Sequence, residues 1–236
     1  RGFGPRLLAQ VVPTAVSDTQ IVLYSGQSAI HANDDWDPDA IGDGFSRVSA
    51  FGFGGSTKDS ALRVDLAPGS YSMHVLGVGG ATGTALAEIY DLPRTGSARI
   101  LNLSTRGQVD VGENIMIGGF AIGGTAPKQV LIRGIGPSLA PFGVSGVLQD
   151  PRIRLVEMAH DGIPNRTIAT NDDWWIDPVS GRLMADQART VGAFALPAGS
   201  KDAALLAWLD PNRTYTVLLD GVGTDTGVGL IEIYEL

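Results

Sequence analysis

One stretch of this sequence occurs twice. Residues 77–92 read GVGGATGTALAEIYDL and residues 221–236 read GVGTDTGVGLIEIYEL, with 10 of the 16 aligned positions identical. The two stretches begin 221 − 77 = 144 residues apart, far beyond the roughly 20–50-residue period of a solenoid repeat. The repeat therefore predicts a duplicated domain, and any fold proposed for this chain has to be built twice.

Three shorter blocks recur in the same order. They are RGxGP at 1–5 and 133–137, Asn-Asp-Asp-Trp at 33–36 and 171–174, and Lys-Asp at 58–59 and 201–202. The first copy therefore spans 1–92 and the second spans 133–236.

The 40 residues between the copies, 93–132, have no counterpart ahead of the first copy. They carry three apolar runs separated by Gly, Asp and Pro, which is typical of strands joined by turns. We therefore predict two domains, an incomplete repeat over 1–92 that lacks its opening three strands and a complete repeat over 93–236. The missing strands come from 93–132 folding back, from a neighbouring chain, or from a preceding part of the natural protein.

The hydrophobic pattern is that of β-strands. Apolar residues alternate with other residues over 214–220 and 70–76, and the paired stretches 62–66 and 205–209 also place Leu, Val or Ala at every second position. Sustained helical periodicity is missing, with one short helix predicted over 183–191. Short strands with frequent Gly and Pro turns predict an all-β fold of two tandem Ig-like or jelly-roll-like β-sandwich repeats.

Net charge, apolar run length and cysteine content limit which partners and which cellular compartment are expected for this protein. The net charge is −8 and the 17 Lys and Arg residues form no cluster, which argues against nucleic acid and anionic membrane surfaces. No apolar run reaches the roughly 18 residues needed to span a bilayer. Cysteine is absent, which removes disulfides, thiolate metal sites and cysteine nucleophiles. An acidic, Gly-rich β protein without cysteine fits an extracellular or cell-surface location in bacteria.

The acidic loop after the first Asn-Asp-Asp-Trp block is the strongest candidate for chemistry. Carboxylates beside glycines are the hard oxygen ligands and turn geometry that Ca²⁺ prefers. The second copy keeps fewer of them, so a calcium site there is a weaker prediction. The predicted calcium ligands are Asp34, Asp35, Asp37, Asp39 and Asp43 in the first copy and Asp172, Asp173 and Asp177 in the second.

A structural interpretation of the same loops stands beside the calcium one. Asn and Asp side chains also accept hydrogen bonds from nearby backbone amides in tight turns, while the Trp packs on the edge of the sandwich. For the RGxGP blocks we predict turns in which glycine supplies a positive φ angle, because the order of a phosphate-binding loop is absent. The three histidines recur at no matched position, and no catalytic constellation is visible. We therefore predict that the protein is not an enzyme.

Aromatic and apolar residues at the loops and on one strand are candidates for an interface. Leu206 and Trp208 take the places of Arg63 and Asp65 on the predicted outward face, so they would form an exposed apolar patch. The predicted binding or interface residues are Trp36, Trp174, Trp175, Leu206 and Trp208.

With these motifs in hand, the chain resembles the tandem β-sandwich repeats of large secreted or surface proteins of environmental bacteria, over essentially its whole length. That resemblance implies an extracellular, non-catalytic repeat module. The GVxxxTG ending is also similar to bacterial pre-peptidase C-terminal sandwich domains, which implies calcium and contacts with carbohydrate or protein.

The missing strands supply the main functional hypothesis. A sandwich that lacks strands exposes open sheet edges, which folded proteins normally cover. We expect a structural subunit that assembles head to tail with copies of itself by strand complementation, because heterologous contacts propagate into fibres. The alternative is a monomeric Ca²⁺-dependent module that binds carbohydrate or another surface, with surface glycans as partner.

Overall fold

The computed structural model describes residues 1–92 and 99–236. The chain divides into two compact units, Arg1–Arg99 and Ile100–Leu236. The predicted start of the second repeat at residue 93 lies outside the described residues. Within the described ranges no helix is long and apolar enough to span a bilayer.

The second unit consists of two antiparallel four-stranded sheets, so the predicted all-β class is confirmed. The strands are β6 (Asn102–Val109), β7 (Met116–Ile122), β8 (Lys128–Ile135), β9 (Pro151–Glu157), β10 (Arg166–Asn171), β11 (Ala203–Leu209), β12 (Arg213–Gly221) and β13 (Gly227–Glu235). One sheet has the strand order β10-β9-β12-β7 and the other β11-β8-β13-β6.

The core of the second unit lies between these sheets. Along β12, Tyr215, Val217 and Leu219 are at most 2% exposed while the residues between them are half-buried, which confirms the predicted alternation. They pack with inward residues of the other sheet such as Ile231 and Ile233. Both sheets therefore contribute one face to a single apolar core, as a β-sandwich requires.

One helix, α4 (Pro178–Thr190), covers part of the outer face of the second unit. It is longer than the helix predicted from the sequence over 183–191. Asp177 caps its N-terminus by accepting hydrogen bonds from the amides of Val179 and Ser180, and Pro178 occupies the first turn, both strong helix-start signals. A second apolar cluster forms beneath it, around Leu131, Ala188 and Tyr234.

The first unit repeats this framework with shorter elements. Its strands form a three-stranded sheet of order β3-β2-β4 and a two-stranded sheet of β1 and β5. The elements are β1 (Gly2–Phe3), α1 (Pro5–Leu8), β2 (Thr19–Ser25), β3 (Ser28–Asn33), α2 (Pro38–Ile41), α3 (Gly44–Arg47), β4 (Tyr71–Gly77) and β5 (Leu86–Ala87).

The strand predicted over 62–66 does not form. Its counterpart in the second unit is β11, which pairs along its whole length with β8, but only Gly2 and Phe3 remain of the matching strand in the first unit. Leu66 is consequently 43% exposed whereas Leu209 is 1% exposed. The apolar alternation is present in the sequence, but no strand lies alongside 62–66 in the described residues.

Residues 100–132 of the segment between the repeats belong to the second unit. β6 pairs with β13, and β7 pairs with β12. The arrangement in which 93–132 folds back to complete the first repeat is therefore not the pairing found. Among the described residues of the first unit, no strand occupies the positions that β6 and β7 hold in the second.

Candidate functional site

The two most conspicuous repeat motifs meet in a buried ion pair. The guanidinium of Arg133, from RGxGP, lies 2.6 Å from the carboxylate of Glu232, from the EIY block, and Tyr234 donates a hydrogen bond to the same carboxylate at 3.0 Å. Arg1 and Glu88 form the matched pair at 2.8 Å in the first unit. Each arginine also lies over aromatic rings, such as Phe194 in the second unit. These motifs therefore serve the framework of both units.

A buried aspartate holds the RGxGP loop in each unit. Asp202 accepts hydrogen bonds from the amides of Gly136 and Ser138 at 2.9 and 3.3 Å and from the hydroxyls of Ser138 and Ser200. Asp59 accepts from the amides of Gly4 and Arg6 in the same way. The Asp of each Lys-Asp block is thus the hub of its loop.

The predicted reason for the loop glycines is wrong. Gly4 and Gly136 both have φ of −133°, and the other two loop glycines, Gly2 and Gly134, have no positive φ either. A Cβ on Gly136 would lie 2.1 Å from the carbonyl oxygen of Leu148, and one on Gly4 would lie 2.2 Å from that of Val16. Glycine is required because two backbone segments approach closely.

The Asn-Asp-Asp-Trp block fastens its loop to the Lys-Asp block. Asn171 donates to the carbonyl of Asp173 and accepts from the amide of Ala204. Lys201 pairs with Asp173 at 3.1 Å. Asn33 and Asp35 make the matched contacts in the first unit. The structural interpretation of these loops therefore describes the geometry found.

The remaining predicted calcium ligands are used as caps and ion pairs, or point into solvent. Asp37 caps α2 by accepting from the amide of Asp39, and Asp43 pairs with Arg63 at 2.9 Å. Asp34 accepts from the next amide along the chain. Hydrogen bonds from Ser180 and from the first α4 amides hold the pKa of Asp177 below its ordinary value.

Because the carboxylates make these contacts, they do not form a ready-made set of calcium ligands in the described residues. Among residues 1–92 and 99–236, no group of three or more His, Asp or Glu side chains is arranged to hold a metal ion. Asp39 and Asp172 lie on the exposed surface. The calcium prediction stays a prediction, to be tested in solution.

Three of the four tryptophans are in contact with the framework. Trp174 is 3% exposed and its indole N–H donates to Pro197 and Ser200, so it is a core residue and not the exposed binding or interface residue predicted from the sequence. Trp36 donates to the carbonyl of Ser56 and packs with aromatic neighbours. Trp175 packs edge-on against Trp174.

The predicted patch on β11 is only partly exposed. Leu206 packs against the cluster beneath α4, because the helix covers that part of the outer face. Trp208 remains 69% exposed. The structure therefore leaves one large aromatic side chain of the predicted interface set free to meet a partner.

Catalytic machinery is not apparent in the described residues. His160 lies 3.7 Å from Glu157 and contacts the carbonyl of Met158, but no hydroxyl nucleophile is hydrogen-bonded to its ring in the described residues. A small apolar cavity of about 120 Å³ lies beneath α4, beside Arg133 and Trp174. Neither feature defines a reaction, so the absence of enzyme activity stays a prediction.

The open side of the first unit is the feature that the framework does not explain. Ile89 is 53% exposed and Tyr90 is 40% exposed, whereas the matched Ile233 and Tyr234 are 7% and 9% exposed. The inward residues of β4 are also only half-buried. This half-built core, formed by β4 and residues 84–92, is called the open side below.

In the second unit, β6, β7 and β8 border the matched residues, and Tyr234 packs beneath α4. β7 pairs with the edge of β12, and a Cβ at Gly118 would meet the Ile231 side chain in ordinary van der Waals contact at 3.4 Å. β6 pairs with β13 over eight residues, opposite Tyr234 and Ile233 among others. The same edges of β4 and β5 end their sheets in the described part of the first unit.

Sequence reasoning named the missing strands but not the residues that their absence exposes. The signal was available in the alignment, because Ile89 matches Ile233, which lies opposite β6 in the second unit. What could not be read was that Ile89 and Tyr90 would be exposed at 53% and 40%.

The fold defines an all-β protein of two repeats, of which the first is open and the second is closed. No protein-family profile matches this chain, and no curated protein matches it. Among solved structures, it is similar to the pre-peptidase C-terminal domain of a collagenase from Bacillus anthracis, with 12% sequence identity and a TM-score of 0.32. That match covers 56% of this chain and 89% of the other.

Proposed function

We propose that this protein is a non-catalytic, extracellular structural subunit of bacteria that assembles head to tail into a fibre or surface layer. The joint is made by β-strand complementation, with the open side of the first unit as the acceptor. The same proposal places the chain with the tandem β-sandwich repeats of bacterial surface proteins that its motifs resemble.

The contrast between matched residues is the observation that carries this proposal. Ile89 and Ile233 occupy the same position in the two repeats and differ in exposure by 53 − 7 = 46 percentage points. An uncovered core beside unpaired strand edges is a template for another chain. Burial of this surface by a neighbour supplies both apolar area and main-chain hydrogen bonds.

The second unit offers a matching donor surface. β6 and β7 are the outer strands of its two sheets, so a neighbour can add both strands to the open side without giving up its own pairing. Exposed apolar residues lie at the same edge, including Leu101 at 56% and Ile117 at 58%. Because acceptor and donor lie on different units, the contact is heterologous and propagates.

Electron microscopy of the purified protein over a range of concentrations tests the proposal, together with light scattering. We expect filaments or sheets whose formation is blocked by Ile89→Asp, which places a charge in the joint. Ile176→Asp is the matched control, because Ile176 is 72% exposed in the other unit. Dispersed monomers at every concentration would overturn the proposal.

A second candidate is a monomeric calcium-dependent module that binds carbohydrate or another surface. The exposure of Trp208 favours it, since aromatic faces stack on sugars and this side chain has no cover in the described residues. Binding to a glycan array that is abolished by Trp208→Ala and by EDTA would support this candidate. Binding that survives both changes would contradict it.

A further inference from the structure

We propose that the free edge of β7 pairs with the same edge of a second copy of this chain, antiparallel and centred on Gly119, so that the two copies share one continuous sheet. This inference goes beyond the proposed function, because it uses the second unit alone and does not depend on the open side. A copy paired in this way cannot lend its β7 edge to the open side of another, so the two contacts exclude each other at β7.

Hydrogen bonds show which backbone groups of β7 are free. The amide of Met158, which directly follows β9, donates to the carbonyl of Thr214, so even-numbered residues of β12 face β9 and odd-numbered ones face β7. The odd-numbered residues of β12 stand opposite the even-numbered residues of β7. The N–H and C=O groups of Ile117, Gly119 and Ala121 therefore point away from β12, towards the free edge.

β7 ends its sheet in the described residues, and it lacks the features that normally keep edge strands apart, such as charges, prolines and bulges. β6 has Arg106 exposed in its middle, and β10 has a register shift between Thr167 and Ala169. On β11 the side chain of Asn171 accepts a hydrogen bond from the amide of Ala204. The β7 sequence, MIGGFAI, has no charge and no proline, and its pairing with β12 is continuous. Among these four edges, β7 is therefore the one best suited to accept a further strand.

The register that uses all of these free groups is self-complementary. With Gly119 opposite Gly119, Ile117 of each copy stands opposite Ala121 of the other, and every outward N–H and C=O of these residues finds a partner. On the other face of the strand, Phe120 stands opposite Gly118. Each large side chain thus meets a small residue, and Ile117, which is 58% exposed in the single chain, gains cover. A strand that matches its own copy defines a two-fold contact, which makes a second copy the occupant.

Single cysteines test the register, because the chain has none of its own. Gly119→Cys places a thiol on the two-fold axis, where the Cα atoms of the two copies would lie about 5.5 Å apart, within the range of a disulfide. A Cβ at Gly119 would lie 4.0 Å from the carbonyl oxygen of Tyr215, so there is room for the side chain. Under mild oxidation of the full chain we expect a covalent dimer of this variant. Ile117→Cys or Ala121→Cys alone should stay monomeric, whereas a mixture of these two should form the cross-linked pair.

Charge exchange tests the contact without a covalent bond. Gly119→Lys brings two like charges face to face on the axis, and Gly119→Glu does the same with the opposite sign. Each variant alone should raise the dimer dissociation constant by at least about threefold in sedimentation equilibrium, because like charges directly opposite each other destabilise paired strands. An equimolar mixture of the two should restore association. Circular dichroism of each variant checks that the chain stays folded.

The outcomes separate this contact from the head-to-tail joint. A Gly119→Cys dimer that persists when Ile89→Asp is added would support self-pairing of β7, whether or not filaments form. Loss of the cross-link with Ile89→Asp would show that the open side makes the contact and would overturn self-pairing. Equal cross-linking of all three single-cysteine variants, or equal association of the charged variants and their mixture, would overturn it as well. A chain that stays monomeric at every concentration would overturn both this inference and head-to-tail assembly.

Discussion

Replacing Ile89 and Ile233 by alanine, one at a time, compares the same side chain in an open and a closed repeat. Ile233 is 7% exposed and lies in the core between the sheets. Ile89 is 53% exposed. If the first unit is open in solution, the two substitutions should differ in their cost to the unit that carries them.

The size of that difference follows from burial. Ile→Ala removes three carbon groups, worth about 0.8 kcal/mol each when fully buried, or about 2.4 kcal/mol. Ile233 buries 100 − 7 = 93% of its surface and Ile89 buries 100 − 53 = 47%. The transfer contributions are therefore about 2.2 and about 1.1 kcal/mol. A residual cavity adds roughly 1 kcal/mol at Ile233 alone, which gives expected costs of about 3 and about 1 kcal/mol.

Native-state hydrogen exchange at increasing urea measures each unit separately, with amides of β2 reporting on the first unit and amides of β12 on the second. The measurement should be made below the concentration at which filaments form. Ile176→Ala is the control for an exposed site and should cost under about 0.5 kcal/mol. Equal costs at Ile89 and Ile233 would refute the reasoning, because the open side would then already be covered in solution.

Four further outcomes are expected. Asp202→Asn should lower the free energy of unfolding of the second unit by about 2–3 kcal/mol, measured by urea unfolding. Asp59→Asn should destabilise the first unit by less, because one buried oxygen of Asp59 has no hydrogen-bond partner in the described structure. Gly136→Ala should prevent the second unit from folding at normal temperature, as circular dichroism would show, because the Cβ meets a carbonyl oxygen at 2.1 Å. Burial beside a carboxylate raises the pKa of Tyr234 to about 12. The contribution of Tyr234 to the free energy of unfolding should therefore be constant below its ordinary pKa near 10 and should fall as the pH rises from about 10 towards 12. Urea unfolding of Tyr234→Phe should show a smaller fall over the same pH range. If the acidic loops bind no calcium, melting temperatures with calcium and with EDTA should agree, and a rise with calcium would support the calcium prediction.

Much of the framework was predictable because it depends on local pattern and on repetition. The alternation in β12 is visible in the sequence since every inward residue is large and apolar. The stretch 62–66 shows the same alternation and forms no strand, because β-structure needs a partner and its partner is reduced to Gly2 and Phe3. A strand pattern states which face would be buried, but pairing decides whether the strand exists.

The candidate site was less predictable because one residue type serves several kinds of contact. The Asp residues of the acidic loops suit calcium, helix caps and ion pairs equally well, and the choice between these depends on distant partners such as Lys58 and Lys201. The pairing of Arg133 with Glu232 joins residues 99 positions apart. Its only trace in the sequence is that both residues recur in both copies.

The first unit keeps an ordered centre although several of its large apolar side chains are exposed. Phe3 and Phe53 are at most 1% exposed, and the Arg1–Glu88 pair keeps the geometry of its counterpart. Exposed apolar side chains surround this centre, with Ile89 at 53% and Val11 at 88% exposed. A folded acceptor of this kind is what strand addition needs in order to avoid the entropy of ordering the acceptor.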